Sequence, residues 1–76
     1  MNKYYVVKSS EESDVKLGVI DALSLEEAHG IATIRYQKKM KSGETIYTFP
    51  ENEPLVFDEN NRLVLQMKRV MSLSRW

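Results

Sequence analysis

Ser24 and Glu27 stand three residues apart near the head of "ALSLEEAHGIATIRYQKKMKSG", Ala22 to Gly43, and no other feature constrains the chain as much. The pair is a capping box. The serine hydroxyl accepts from a backbone N–H of a helix's first turn, and the glutamate reaches back toward the entering chain. Glu26 and Glu27 suit the positive end of a helix dipole, while Lys38, Lys39 and Lys41 suit the negative end. Gly43 is a natural stop. The stretch predicts one helix, basic at its end.

The remaining segments read as strands and turns. "KYYVVKS", Lys3 to Ser9, is aromatic and β-branched, and it is apolar on both sides, as in a strand central to its sheet. "SEESD" reads as a turn, and "VKLGVID", Val15 to Asp21, alternates Val15, Leu17 and Val19, so an antiparallel hairpin is expected. "ETIYTF", Glu44 to Phe49, is a third strand, ended by the prolines of "PENEP", which lack the N–H a central ladder needs. "LVF", Leu55 to Phe57, is a short fourth strand, and "DENN", Asp58 to Asn61, has turn chemistry. "RLVLQMKRV", Arg62 to Val70, is a fifth, alternating Leu63, Leu65 and Met67. Val70 falls out of phase, so either a bulge sits near Lys68 and Arg69 or residues 71–76 begin a tail or short helix. The expected class is α+β: a small, mostly antiparallel sheet with one helix on one face, in the order ββαβββ. If the second and third strands run parallel, their helical crossover should be right-handed.

Seventy-six residues, 42% of them hydrophobic, suffice for a single core and hence one domain. No cysteine exists for disulfides or thiolate metal sites, and "MNKYYVVKSS" lacks the apolar run of a signal peptide. Nothing is long and apolar enough to span a membrane, so a cytoplasmic protein is expected. Zero formal charge argues against a DNA-coating protein. The charge is nonetheless blocked. Residues 31–43 hold four basic and no acidic side chains, residues 44–60 five acidic and no basic, and residues 61–76 four basic and no acidic. Such blocks either pair with one another in the fold or give the molecule a basic and an acidic face.

At steps of about 100°, Leu25, Ala28, Ala32 and Tyr36 form one stripe, with Met40 at its edge. That stripe should lie on the sheet, the alanines allowing close approach. Gly30 and Ile34 fall on the opposite side with Glu27, Gln37, Lys38 and Lys41, and Ile31 lies at the margin. A single exposed apolar residue is ordinary. Alternatively Ile31, Ile34, Arg35, Lys38, Lys39 and Lys41 form a contact patch for another protein, an apolar anchor beside cations. The basic run also has two readings: complement to the helix dipole, or phosphate contact, with tyrosines and phenylalanines offering stacking surfaces to single-stranded nucleic acid. Enzyme chemistry has no carrier. His29 is the only histidine and reads as a half-buried packing residue, the paired glutamates lie in loops, and "DENN" lacks calcium-loop spacing. No cofactor or metal is expected.

"YYVVKSSEES…VIDALSLEEAHGIA", Tyr4 to Ala32, resembles the opening of several very small phage-encoded inhibitors, including some anti-CRISPR proteins. The shared pattern is strand, charged connection, strand, then "A-x-SL-x-x-A-x-x-IA", carried here by Ala22, Ser24, Leu25, Ala28, Ile31 and Ala32. It covers less than half of the chain, and neither the acidic third segment nor the Trp-ended tail has a counterpart in it. The resemblance implies a stoichiometric protein that blocks a host defence complex. Three functional expectations follow. The first is a non-enzymatic protein-binding module, such as an inhibitor from phage or a mobile element. The second is a nucleic-acid-binding protein using basic residues 35–41 and 62–75. The third is a homodimer pairing through a sheet edge or the exposed helix.

Overall fold

The computed structural model describes residues 1–53, 55–64 and 69–75. Four strands form one antiparallel sheet in the order β2-β1-β3-β4, with β1 at Asn2–Ser9, β2 at Asp14–Ala22, β3 at Thr45–Pro50 and β4 at Met71–Ser74. One helix, α1 at Leu25–Tyr36, connects β2 to β3 and packs on one face. The class is α+β, as the sequence predicts. β1 is central, with β2 and β3 antiparallel to it on either side, which is why both of its sides are apolar. Tyr4 and Val6 face the helix, and Tyr5 and Val7 face away.

The expected alternation of Val15, Leu17 and Val19 on one face is corrected by a bulge. Val6 pairs with Gly18 but Val7 pairs with Lys16, so Leu17 has no partner on β1. An extra residue shifts the side-chain phase by one. Leu17 keeps the helix side, Ile20 and Ala22 take it after the bulge, and Val19 moves to the far side opposite Tyr5. Gly18 faces the helix, and a Cβ built on it would stand 2.8 Å from the Tyr36 hydroxyl. That close approach is why the position has no side chain.

The helix-side core joins Tyr4, Val6, Ile20, Ala22 and Ile46 of the sheet to Leu25, Ala28, Ala32 and Met40. Here the stripe read from the sequence is the buried one. The helix is shorter than expected: it closes at Tyr36, and Gln37–Lys39 form one 3-10 turn. Its 12 residues span about 18 Å at 1.5 Å each, close to the roughly 20 Å of the six-residue β3, which the chain enters after the 3-10 turn. Gly43 serves that turn rather than the helix end, with φ at +87°.

The fourth and fifth predicted strands are corrected too. Residues 55–64 make only a single bridge, Phe57 to Leu63, around a turn in which the Asp58 carboxylate accepts from the N–H of Asn60 and Arg62 and Asn61 adopts φ 59°. This segment lies on the face away from the helix, where Leu55, Phe57 and Leu63 pack with Val7, Phe49, Tyr5 and Tyr47. The rings of Tyr5 and Phe49 meet edge to face, 5.7 Å apart. Arg62 holds it down. Its guanidinium donates to the Ser10 and Glu11 carbonyls and to Asp14 Oδ1 at 3.2 Å, while Asp14 Oδ2 accepts from the Leu63 N–H at 2.6 Å. The expected alternation at Leu65 and Met67, and the bulge near Lys68, lie outside the described residues. In place of a tail, Met71–Ser74 supply the edge strand, so the described order is ββαββ.

Candidate functional site

The outer side of α1 is built from the cap inward. The Ser24 hydroxyl accepts from the Glu27 N–H at 3.1 Å, and the Glu27 carboxylate accepts from the Leu23 N–H at 3.1 Å. These two bonds fix where the helix starts and hence which residues face water. Hydropathy does not separate its two sides; size does. Two alanines are buried because they let the backbone approach the sheet, and an isoleucine is left outside. Ile34 is 81% exposed. Gly30, on the same side, has nothing within 4 Å of a would-be Cβ.

The six predicted patch residues do not all share one environment. Ile31 is half-buried and packs against the helix-side core, so it supports the patch from its margin. Arg35 is exposed on the last turn of α1, Lys38 and Lys39 on the 3-10 turn, and Lys41 just beyond. Among the described residues none of these four cations forms an ion pair. Lys41 is nonetheless less available than the others. It shares a hollow of about 410 Å³ with Glu11, Glu12 and Glu44, and its backbone N–H donates to the Glu44 carboxylate at 2.7 Å. That bond, followed by the nearby ammonium groups of Lys8 and Lys41, holds the Glu44 pKa below the ordinary carboxylate value.

Charge pairing accounts for other parts of the blocks. Lys8 Nζ lies 3.4 Å from Glu44, Arg62 pairs with Asp14, and Lys3 Nζ lies 2.8 Å from Asp21 on the surface. Sequence reasoning missed one member of the basic end. Arg75 Nη1 donates to the Gln37 carbonyl at 3.3 Å, adding a cation to the end of the helix. The signal was its place in the last basic block, but only the return of the chain as β4 brings it there. Leu23, 69% exposed beside the cap, was likewise missed, and no pattern in the sequence marks it.

His29 is half-buried, its Nδ1 3.4 Å from the buried Thr48 hydroxyl, and burial lowers its pKa. Among the described residues no three His, Cys, Asp or Glu side chains converge in a way that could hold a metal ion, and no helix is long and apolar enough to cross a membrane. Tyr4 and Phe49 are buried, and Tyr5, Tyr47 and Phe57 pack in the far-side core, so these rings are committed to packing rather than open for stacking. What the outer helix side can do is present one large apolar side chain on a capped helix beside several exposed cations. Comparison with protein-family models, with curated proteins and with solved structures finds no match to this chain.

Proposed function

We propose that the chain is a non-enzymatic protein-binding module that docks through the outer side of α1. Ile34 is the anchor, Ile31 its support, and Arg35, Lys38, Lys39 and Lys41 the cationic rim that selects an acidic surface. The single observation that carries this reading is the 81% exposure of Ile34 on a capped helix, next to cations without ion-pair partners among the described residues. A preorganised helix pays little ordering entropy on docking. Rim cations speed encounter and select the partner, and the central apolar residue slows release. Consistent with the resemblance of Tyr4 to Ala32 to phage-encoded inhibitors, we assign the partner to a host complex, with defence complexes first.

The test is capture from host lysate with identification of the retained protein, repeated with the Ile34→Asp, Lys38→Glu variant. Both positions are exposed, so the variant keeps its circular dichroism and melting point while losing the partner. Equal capture by the two proteins removes the helix face from consideration.

One observation favours a second reading. The two basic segments proposed for nucleic acid meet at Gln37, where Arg75 joins the helix end. Phosphate binding there predicts oligonucleotide retention that falls steeply with salt. No retention at low salt ends it.

A further inference from the structure

Packing within the chain gives no reason for a glycine at position 30. Gly30 lies inside α1, where glycine weakens a helix, and nothing comes within 4 Å of a Cβ built on it. Gly18 differs, since the Tyr36 hydroxyl leaves no room there. One turn beyond Gly30 stands Ile34, 81% exposed. At about 100° per residue, both point directly away from the buried Leu25, Ala28 and Ala32. The outermost line of the helix is therefore a gap followed by a knob.

Charge changes sign along the same side. Glu26 and Glu27 are exposed in the first turn, and Lys38 is exposed on the 3-10 turn. None of the three forms an ion pair among the described residues. Glu27 uses one carboxylate oxygen on the Leu23 N–H, and the other has no partner among the described residues. Glu27 and Lys38 lie on one flank of the Gly30–Ile34 line, and the two pairs share nearly the same midpoint along the helix. A face acidic at its head and basic at its tail is complementary to itself when turned end for end.

We infer that this face pairs with the same face of a second copy, the two α1 helices antiparallel about a two-fold axis. In such a contact every pairing occurs twice. Ile34 of each copy sits over Gly30 of the other, and Glu27 of each faces Lys38 of the other. Parallel helices would set Glu27 on Glu27 and Lys38 on Lys38 and align the two dipoles, which repels. The helix is about 18 Å long and about 10 Å wide, so the contact covers at most a few hundred Å² per copy. A standard stable interface covers roughly 800 Å² per partner, so this pairing is weak and reversible. The inference rests on the reading of this side of α1 as the docking face. It names the occupant when no other partner is bound, so the chain's own concentration sets how much of that face is free.

The test follows the purified full chain by sedimentation from about 10 μM to about 2 mM, in low and high salt. The wild type should pass from monomer to dimer, less readily in high salt. Lys38→Glu and Glu27→Lys should each weaken dimerisation at least about fivefold, because each sets like charges opposite twice. Mixing the two variants should restore it, since a mixed pair regains both Glu–Lys contacts. In a sample of labelled and unlabelled copies, the Ile34 methyls should show a contact to the Gly30 α protons of the other copy. Should Glu27→Lys fail to fold for want of its cap, that contact in the wild type decides. A monomer at about 2 mM, an undiminished Lys38→Glu dimer, a mixture of folded variants without recovery, or contacts between copies away from α1 would each overturn the inference. A monomeric chain leaves capture of another protein through Ile34 standing, whereas lysate capture indifferent to Ile34→Asp removes the docking reading whatever the purified chain does.

Discussion

Asp14→Ala tests how the far side of the sheet is held. The Asp14 side chain is 8% exposed and bridges two distant pieces of chain, accepting from the Leu63 N–H at 2.6 Å and from Arg62 Nη1 at 3.2 Å. Hydrogen bonds to a charged group contribute about 1.5–3 kcal/mol each. The Arg62 bonds to the Ser10 and Glu11 carbonyls survive the change and soften it. A loss of about 3 kcal/mol is expected, against a total stability of roughly 4–11 kcal/mol for a domain of this size. At about 4–8 °C per kcal/mol, the melting point should fall by about 12–24 °C. Thermal and urea unfolding measure it, and the amide of Leu63 should lose exchange protection first. The Asp14→Ala, Arg62→Ala double variant should lose less than the sum of the singles, because both break one network. A fall below about 4 °C, or strict additivity, would refute the view that Asp14 and Arg62 act together as the fastening of residues 55–64.

Gly18→Ala should cost about 1–3 kcal/mol by pushing on the Tyr36 hydroxyl, and Tyr36→Phe should recover part of that loss in the double variant, read by urea unfolding. Ser24→Ala removes the acceptor for the Glu27 N–H and should cost about 1 kcal/mol, visible in the same assay. Glu44 has a folded pKa below its unfolded value of about 4.5. Its contribution is present above that pH and is lost as pH falls through the folded value. Glu44→Gln should therefore flatten the acid limb of a stability–pH profile, and an unchanged limb would contradict the bond from the Lys41 N–H. Ile34→Asp alone should change stability by no more than about 0.5 kcal/mol, as for an exposed site, and a larger loss would mean the side chain is covered.

The helix was legible because its signals are local. Ser24, Glu27 and the Leu25, Ala28, Ala32 spacing act within a few residues, and the structure obeys them. Its end was not legible. Lys38, Lys39, Lys41 and Gly43 have the chemistry of a helix terminus, yet the α-helix closes at Tyr36 and a 3-10 turn leads the chain back toward β3. The candidate patch was legible for the same reason as the helix, since fixing the phase turned Ile34 outward. Its neighbour Arg75 was not, because 38 residues separate it from Gln37.

The amino-acid order by itself determined which segments have helical or extended local preference, the capped start of α1, the two-sided apolarity of β1 and the outward turn of Ile34. Each is a property of neighbouring residues, set by backbone sterics, capping bonds and side-chain period. Only the tertiary structure decided the bulge that reverses the phase of β2, the use of residues 55–64 as a cover rather than strands, and the return of Met71–Ser74 to the sheet edge. Those outcomes depend on how much of each sheet face the single helix leaves uncovered, and on which distant backbone groups then find partners. A one-residue slip or an apolar triplet looks the same locally whether it pairs in a ladder or packs on a face. The choice is made by burial and hydrogen bonding across the chain.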